Sequence, residues 1–306
     1  MSYPVAAGKT NIGSSTMQYI PAIYAGKLLV NYLKKTVLGA IVNRDYEGEI
    51  KKFGDTVYIR SDPDITIRDY VKGQALVNEQ PESTSQTLLI DKGHYWSFVT
   101  DDLDERQTDI KGYVSRWAAR GAYALEVQMD TNILAALPAL VHASNTGAAA
   151  GAVSSAFNIG TSGSPITLTK SNIIDYLADL ESILDEQDAP AEGRYLLLSP
   201  RAIGLIRKSD LKDSSLTGDA KSIIRTGYIG EINGFTVYKS NLLLRNGSTS
   251  TAGLFGVRGA VTFATQLVES KVQDNPEGFG KLHRHLNVYG YKVIKPEGIG
   301  CMFYTA

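Results

Sequence analysis

Residues 106–140, RQTDIKGYVSRWAARGAYALEVQMDTNILAALPAL, decide how the rest of the chain is read. Ile110, Tyr113, Val114, Trp117, Ala118, Gly121, Leu125, Gln128 and Met129 trace one stripe at helical spacing, and Ile133, Leu134 and Leu137 continue it. Asp101, Asp102, Asp104 and Glu105 stand just ahead, where a helix dipole favours negative charge. Some thirty helical residues would span ~45 Å. That is long for a globular domain, so the run reads as a structural spine with Trp117 on its buried face. Pro138 should kink or end it.

Upstream, three short runs alternate as strands do: Thr56–Arg60, Thr87–Asp91 and Tyr95–Val99. Between the first two lies a long polar connection, Ser61 to Gln86. It carries too few large apolar side chains to offset its own ordering entropy. A two-stranded ribbon is marginal in water on its own. The segment therefore reads as an arm ordered by lying on another subunit. Residues 1–18 are small and polar, and Ile20 to Leu33 follow with helical spacing, an amphipathic helix on an N-terminal arm.

Downstream, residues 143–164 carry no charge and read as a linker or surface loop. Ser171 and Asn172 could cap a helix bearing Ile173, Ile174, Leu177, Leu180 and Leu184. Arg194–Ser199 reads as a buried strand, and Ser199-Pro200 opens a short helix. Asn233-Gly234 signals a type I′ hairpin. Further strands follow at 259–263, 286–294 and 300–304. Helices and strands mix without regular βαβ alternation, an α+β pattern.

Composition bounds the function. The 306 residues are 43% hydrophobic and 21% charged, with a formal net charge of −1. Those values exclude a disordered chain and disfavour binding of nucleic acid through overall positive charge. The one cysteine, Cys301, rules out an intramolecular disulfide and a cysteine zinc cluster and reads as a buried thiol. The start shows no basic and apolar leader pattern, and no apolar run approaches a bilayer span. A soluble protein made in the cytoplasm is expected.

No catalytic motif stands up. Gly8-Lys9-Thr10 lacks the first glycine of a phosphate loop, since Tyr3 stands there. Gly278-Phe279-Gly280 lacks the third glycine of a dinucleotide fingerprint, since His283 stands there. His283 and His285 share one strand face and could hold a metal, but no third ligand lies nearby in sequence. No cofactor is expected. An enzyme with a site scattered around His283 and His285 is the alternative. Residues 51–106 hold 7 basic and 11 acidic groups, net −4, whereas residues 1–50 and 258–306 are each net +2. An acidic arm and basic ends could set register between subunits.

Four stretches, in order along the chain, carry a family likeness. They are Pro21–Tyr24 with Val42–Ile50 and Phe53–Val57; Gln86–Asp91 with Asp101-Asp102 and the long helix; Tyr228–Asn241; and Leu286–Val293 with Gly298–Gly300. Together they resemble the major capsid proteins of tailed bacteriophages, which share the Hong Kong 97-type capsid fold. The resemblance implies an N-terminal arm (1–45), an extended loop (46–104), a peripheral domain with the spine helix (105–145 plus 285–306), and a linker with an axial domain (146–284). It implies a non-enzymatic virion protein that forms hexamers and pentamers of an icosahedral shell around double-stranded DNA, without sequence-specific binding and with no membrane. A separate scaffolding protein, a portal protein and a cement protein would be its partners. Tyr24, Arg60, Asp62, Asp64, Arg68, Asp69, Lys72, Glu79 and Glu82 are the expected contacts between subunits. An encapsulin-type compartment and a tail or decoration protein are the alternatives.

Overall fold

The computed structural model describes Lys34, residues 36–45, 56–61, Pro63, and residues 65–101, 112–209, 230–247 and 250–306. The four α-helices in them are α1 (Leu38–Ile41), α2 (Tyr113–Ala136), α3 (Ile173–Asp185) and α4 (Pro200–Lys208). The strands are β1 (Thr56–Ser61), β2 (Thr84–Leu89), β3 (Lys92–Thr100), β4 (Ile166–Thr167), β5 (Arg194–Leu198), β6 (Glu231–Ile232), β7 (Phe235–Lys239), β8 (Arg245–Asn246), β9 (Ser250–Val257), β10 (Val261–Asp274), β11 (Lys281–Val293) and β12 (Ile299–Thr305). They form a β1–β2 ribbon, a three-stranded sheet β10–β11–β3, and a seven-stranded sheet. The last runs β4–β12–β9–β5–β7–β6, with β8 on β9.

The seven-stranded sheet has a hydrophobic core on each side. Successive strand residues point to opposite faces, and here both faces are apolar. Leu196, Leu198, Phe255, Met302 and Tyr304 pack on one face with Leu177, Leu180 and Leu184 of α3 and Ile203 and Ile206 of α4. Tyr195, Leu197, Leu254, Ile299 and Cys301 pack on the other with Ile133, Leu134 and Leu137. β5 is therefore buried at every position, which explains its unbroken apolar sequence. Its first residue, Arg194, is buried too. Its guanidinium meets Asp185 Oδ1 at 2.6 Å and donates to the carbonyls of Ala189 and Pro190, closing the C-terminal end of α3. Ser199 caps α4 by accepting from the Ala202 N–H, with Pro200 at the first helical position as expected. Asn233 and Gly234 take positive φ and join β6 to β7 in the expected hairpin. Asn172 precedes α3, but its side chain turns back to Thr169 and Thr167 instead of capping the helix.

The spine is real over α2, 24 residues or ~36 Å. Its α-helical part ends at Ala136, and Pro138 lies in the 3-10 turn that follows. Its burial differs from the expectation. Only the second half is buried, through Leu125, Met129, Asp130, Ile133 and Leu134. Trp117 is 51% exposed, because the first half rests on the three-stranded sheet by one edge and leaves the indole at the rim. Gln128 is exposed as well. The first turn of α2 holds no acidic residue, and Gly112 in a left-handed conformation stands at its N-cap. Asp102, Asp104, Glu105 and Ile110 lie outside the described residues, as does the amphipathic pattern at 20–33.

Two expected boundaries are corrected. A break at residues 284 and 285 would cut β11 in its middle, where Lys271 pairs with Arg284 and Ser270 with His285 in one ladder. The end of the chain, β12, pairs with β4 and β9 in the seven-stranded sheet and so belongs with residues 166–257. The uncharged run 143–164 is exposed over most of its length, as a surface loop is, and is anchored at a few buried points. Ala150 and Ile159 are buried in the core with α3, and Asn145 is fully buried. The Asn145 amide donates to the carbonyls of Glu297 (2.6 Å) and Ile299 (3.0 Å) and accepts from Gln187. Glu186 accepts from the N–H groups of Val153 and Ser154. Small uncharged residues here allow backbone to pack on backbone.

Candidate assembly surfaces

The β1–β2 ribbon has one apolar face. Ile59 and Leu88 on that face pack with Ile90, Ala264 and Val288, and Val57 lies against them. Gln86 on the same face donates to the Ile294 carbonyl at 3.0 Å, pinning the ribbon to the end of β11. Tyr58, Arg60 and Leu89 point the other way and are exposed. From this fixed base residues 65–83 run out without helix or strand, exposed throughout. Their turn is at Lys72-Gly73, with Gln74 N–H on the Val71 carbonyl. Ile65, Ile67, Tyr70, Val71, Leu76 and Val77 all face water, Ile67 at 96% exposure. A single exposed leucine needs no explanation, but six such side chains on one segment mark an interaction surface.

The expected contact residues divide accordingly. Arg60 is exposed on β1 opposite Ser85. Arg68, Asp69, Lys72, Glu79 and Glu82 are exposed on the arm. Among the described residues none of these six joins an ion pair, and the one recorded tie is between Glu79 and Thr66 across the arm, at 3.3 Å and 3.4 Å. Tyr24, Asp62 and Asp64 lie outside the described residues. Charge and length in sequence were the signals for the arm. Its apolar side chains were legible as residues but not as exposed ones.

The two histidines on β11 belong to an aromatic stack beneath α2. His285 lies opposite Trp96 and His283 opposite Phe98. Each ring stacks on its partner, at 5.4 Å and 4.9 Å between centroids, and Trp96 stacks on Phe98. His283 Nε2 is also 3.2 Å from the Thr100 hydroxyl. Trp117 meets Phe98 edge-on. Gly121 makes the approach possible, since a Cβ there would lie 2.9 Å from the Trp96 ring. Among the described residues no group of three or more histidine, cysteine or acidic side chains is placed to hold a metal. Cys301 is buried, and desolvation pushes its thiol up to about 12, so it is held protonated.

Asp130 joins the N-terminal part to the spine. Its buried carboxylate accepts from the Val37 N–H at 2.7 Å and the Leu38 N–H at 3.2 Å, at the start of α1. Burial raises its pKa above the ordinary 3.8, and the two backbone donors offset this only in part. Tyr123, two turns earlier on α2, donates to the Lys34 carbonyl. The chain from Lys34 to Leu38 is thus tied along the spine by side chains of α2.

The described residues present a ribbon-borne arm with an exposed apolar surface. Comparison with known proteins assigns the family. The family model described as phage capsid protein matches residues 87–299, most of the chain. The structure is similar to one from Mycobacterium phage Che8 (24% identity, 94% of this chain and 97% of the other, TM-score 0.76). It is also similar to the capsid of cyanophage P-SCSP1u (15% identity, 99% and 97%, TM-score 0.71) and of a native GTA particle (14% identity, 97% and 99%, TM-score 0.65). No curated protein matches in sequence. The chain belongs to the phage capsid protein family and has the Hong Kong 97-type fold. It is a major capsid protein, a component of the virion shell, and an encapsulin-type role is not favoured. No helix among the described residues is long and apolar enough to cross a membrane.

Proposed function

We propose that the chain assembles as hexamers and pentamers into an icosahedral head around double-stranded DNA. A separate scaffolding protein, a portal and a cement protein would be its partners. The observation that carries this reading is the arm at 65–83, whose apolar side chains have no cover within the subunit. Laid on a neighbour, the arm buries Ile65, Ile67, Tyr70 and Leu76, while Arg68, Asp69, Lys72, Glu79 and Glu82 set its register. Arg60 and Tyr58 at its base, with Tyr24, Asp62 and Asp64 as further contacts, complete the surface. Many such modest contacts, repeated by symmetry, stabilise a closed shell without one tight interface. DNA is held by enclosure, which a net charge of −1 permits. In this reading the three-stranded sheet with α2 forms the peripheral part of the subunit. The seven-stranded sheet with α3 and α4 forms the axial part.

Negative-stain electron microscopy of particles from infected cells, with nuclease protection, tests the proposal. Closed uniform particles carrying nuclease-resistant DNA are expected. Particles filled with a cargo protein instead would overturn the DNA part. Small oligomers persisting with every scaffolding candidate would overturn the assembly part.

A further inference from the structure

The seven-stranded sheet has an opening at one end. β5 stops at Leu198, and the chain turns off through Ser199 into α4. Beside β9 its place is taken by β8, where Arg245 lies opposite Thr251. β12 flanks the other side of β9 and runs the same way as β5, since each is antiparallel to β9. Its end is level with β8, because Tyr304 also lies opposite Thr251. A cavity of about 430 Å³ is left between the start of α4, β8 and the adjoining ends of β9 and β12. It lies outside the carboxyl ends of β5, β7 and β12. β5 and β7 are adjacent parallel strands, and the connection between them passes through α4. Open sheets with such crossovers bind ligands at this position.

The lining suits an anion. Arg201 comes from the first turn of α4 and Arg245 from β8. No lining residue has an acidic side chain, and Ala306 at the end of the sequence adds at most one carboxylate. Neither arginine joins an ion pair among the described residues. Asn241 and Thr251 add polar groups to the wall. The wall is fixed where α4 begins, since the Ser199 N–H donates to the buried Tyr304 hydroxyl at 2.8 Å. Burial raises the pKa of that hydroxyl, and its bonds with Ser199 and the charge of Arg245 offset this in part. Arg245 thus stands within electrostatic reach of the α4 start. The helix itself has few N–H groups to offer. Pro200 has none, and those of Ala202 and Ile203 are taken by Ser199. The two arginines therefore carry the site. A guanidinium fork matches phosphate oxygens and holds two at once. The cavity has room for a phosphate with part of an attached nucleotide.

We propose that this cavity binds a phosphate group between Arg201 and Arg245, with Asn241 and Thr251 supplying further donors. The phosphate comes from solution or from the backbone of enclosed DNA, and the second source rests on the shell reading. Phenylglyoxal, which modifies accessible guanidinium groups, tests this, with adducts mapped by mass spectrometry. The unassembled full chain is treated in inorganic phosphate and in chloride of equal ionic strength. Phosphate should slow modification of Arg201 and Arg245 several-fold, and leave the exposed Arg60 and Arg68 unchanged. Equal slowing at all four, or none at any, would overturn the proposal. Arg245→Gln removes an exposed side chain, so the melting temperature should hold while the protection of Arg201 is lost. Protection of Arg201 that survives this change would overturn joint binding. DNA-filled and emptied particles are then compared in phosphate-free buffer. Protection lost on emptying assigns the site to the DNA backbone. Protection absent from filled particles, or equal in both, overturns that source and leaves free phosphate. Failure to obtain particles counts against the shell reading alone, since the first comparison needs none.

Discussion

Two irregular segments of this subunit invite comparison, the arm at 65–83 and the run at 143–164. Both lack long helix or strand. The run has no charge and, though mostly exposed, is anchored inward: Asn145, Ala150 and Ile159 are buried, and its backbone finds partners in β12 and on Glu186. The arm carries charge and large apolar side chains and turns both outward. Irregular chain is stable when its polar backbone groups and apolar side chains are both satisfied. The run meets much of that condition within one subunit, and the arm does not, which is what the proposed contact with a neighbour would supply.

The largest consequence concerns the arm. Deleting residues 62–82 should leave a folded subunit, with unchanged circular dichroism, that makes no stable shells. Stable closed particles from the deletion variant would remove the distinction between the two segments. The run should behave oppositely. Asn145→Ala leaves the buried carbonyls of Glu297 and Ile299 without their donor, and should cost about 2–4 kcal/mol. A clear fall in melting temperature of the unassembled subunit checks this. A loss confined to assembly would contradict it.

Asp130 gives a smaller effect with a definite sign. Its folded pKa lies above the unfolded 3.8, so the folded state binds its proton more tightly. Its contribution to stability therefore grows as pH falls through the folded value, and is complete below the unfolded one. Asp130→Asn should lose this component. The melting temperature of the natural chain relative to the variant should rise on acidification through that window. A constant difference would refute the assignment. The smallest effect is expected at Ile67, which already lies in water. Ile67→Asp should change the stability of the unassembled subunit by no more than ~0.5 kcal/mol while lowering shell yield. A destabilised subunit would mean that the arm packs on its own body.

The element pattern was legible along the chain. Alternation marked β1, β2 and β3, an apolar run marked β5 as a buried strand, helical spacing marked α2 and α3, and Ser199-Pro200 and Asn233-Gly234 marked a helix start and a hairpin. The arm was legible too, because a long polar connection that cannot support its own order is a local property of composition. The aromatic stack under α2 was half legible. His283 and His285 shared a face in the sequence, but the Trp96 and Phe98 rings that cover them come from another strand.

Period and turn chemistry, then, were determined by the sequence alone, since they depend on neighbours a few residues apart. Tertiary structure decided the rest. It placed β12 between β4 and β9, kept β10 and β11 in one sheet across the expected boundary, anchored the run at 143–164 through Asn145, Ala150 and Ile159, and left Trp117 at the rim of α2. Each of these is a choice of distant partner. An apolar stripe states that a face will be covered, and only the fitted fold states by what and how far along.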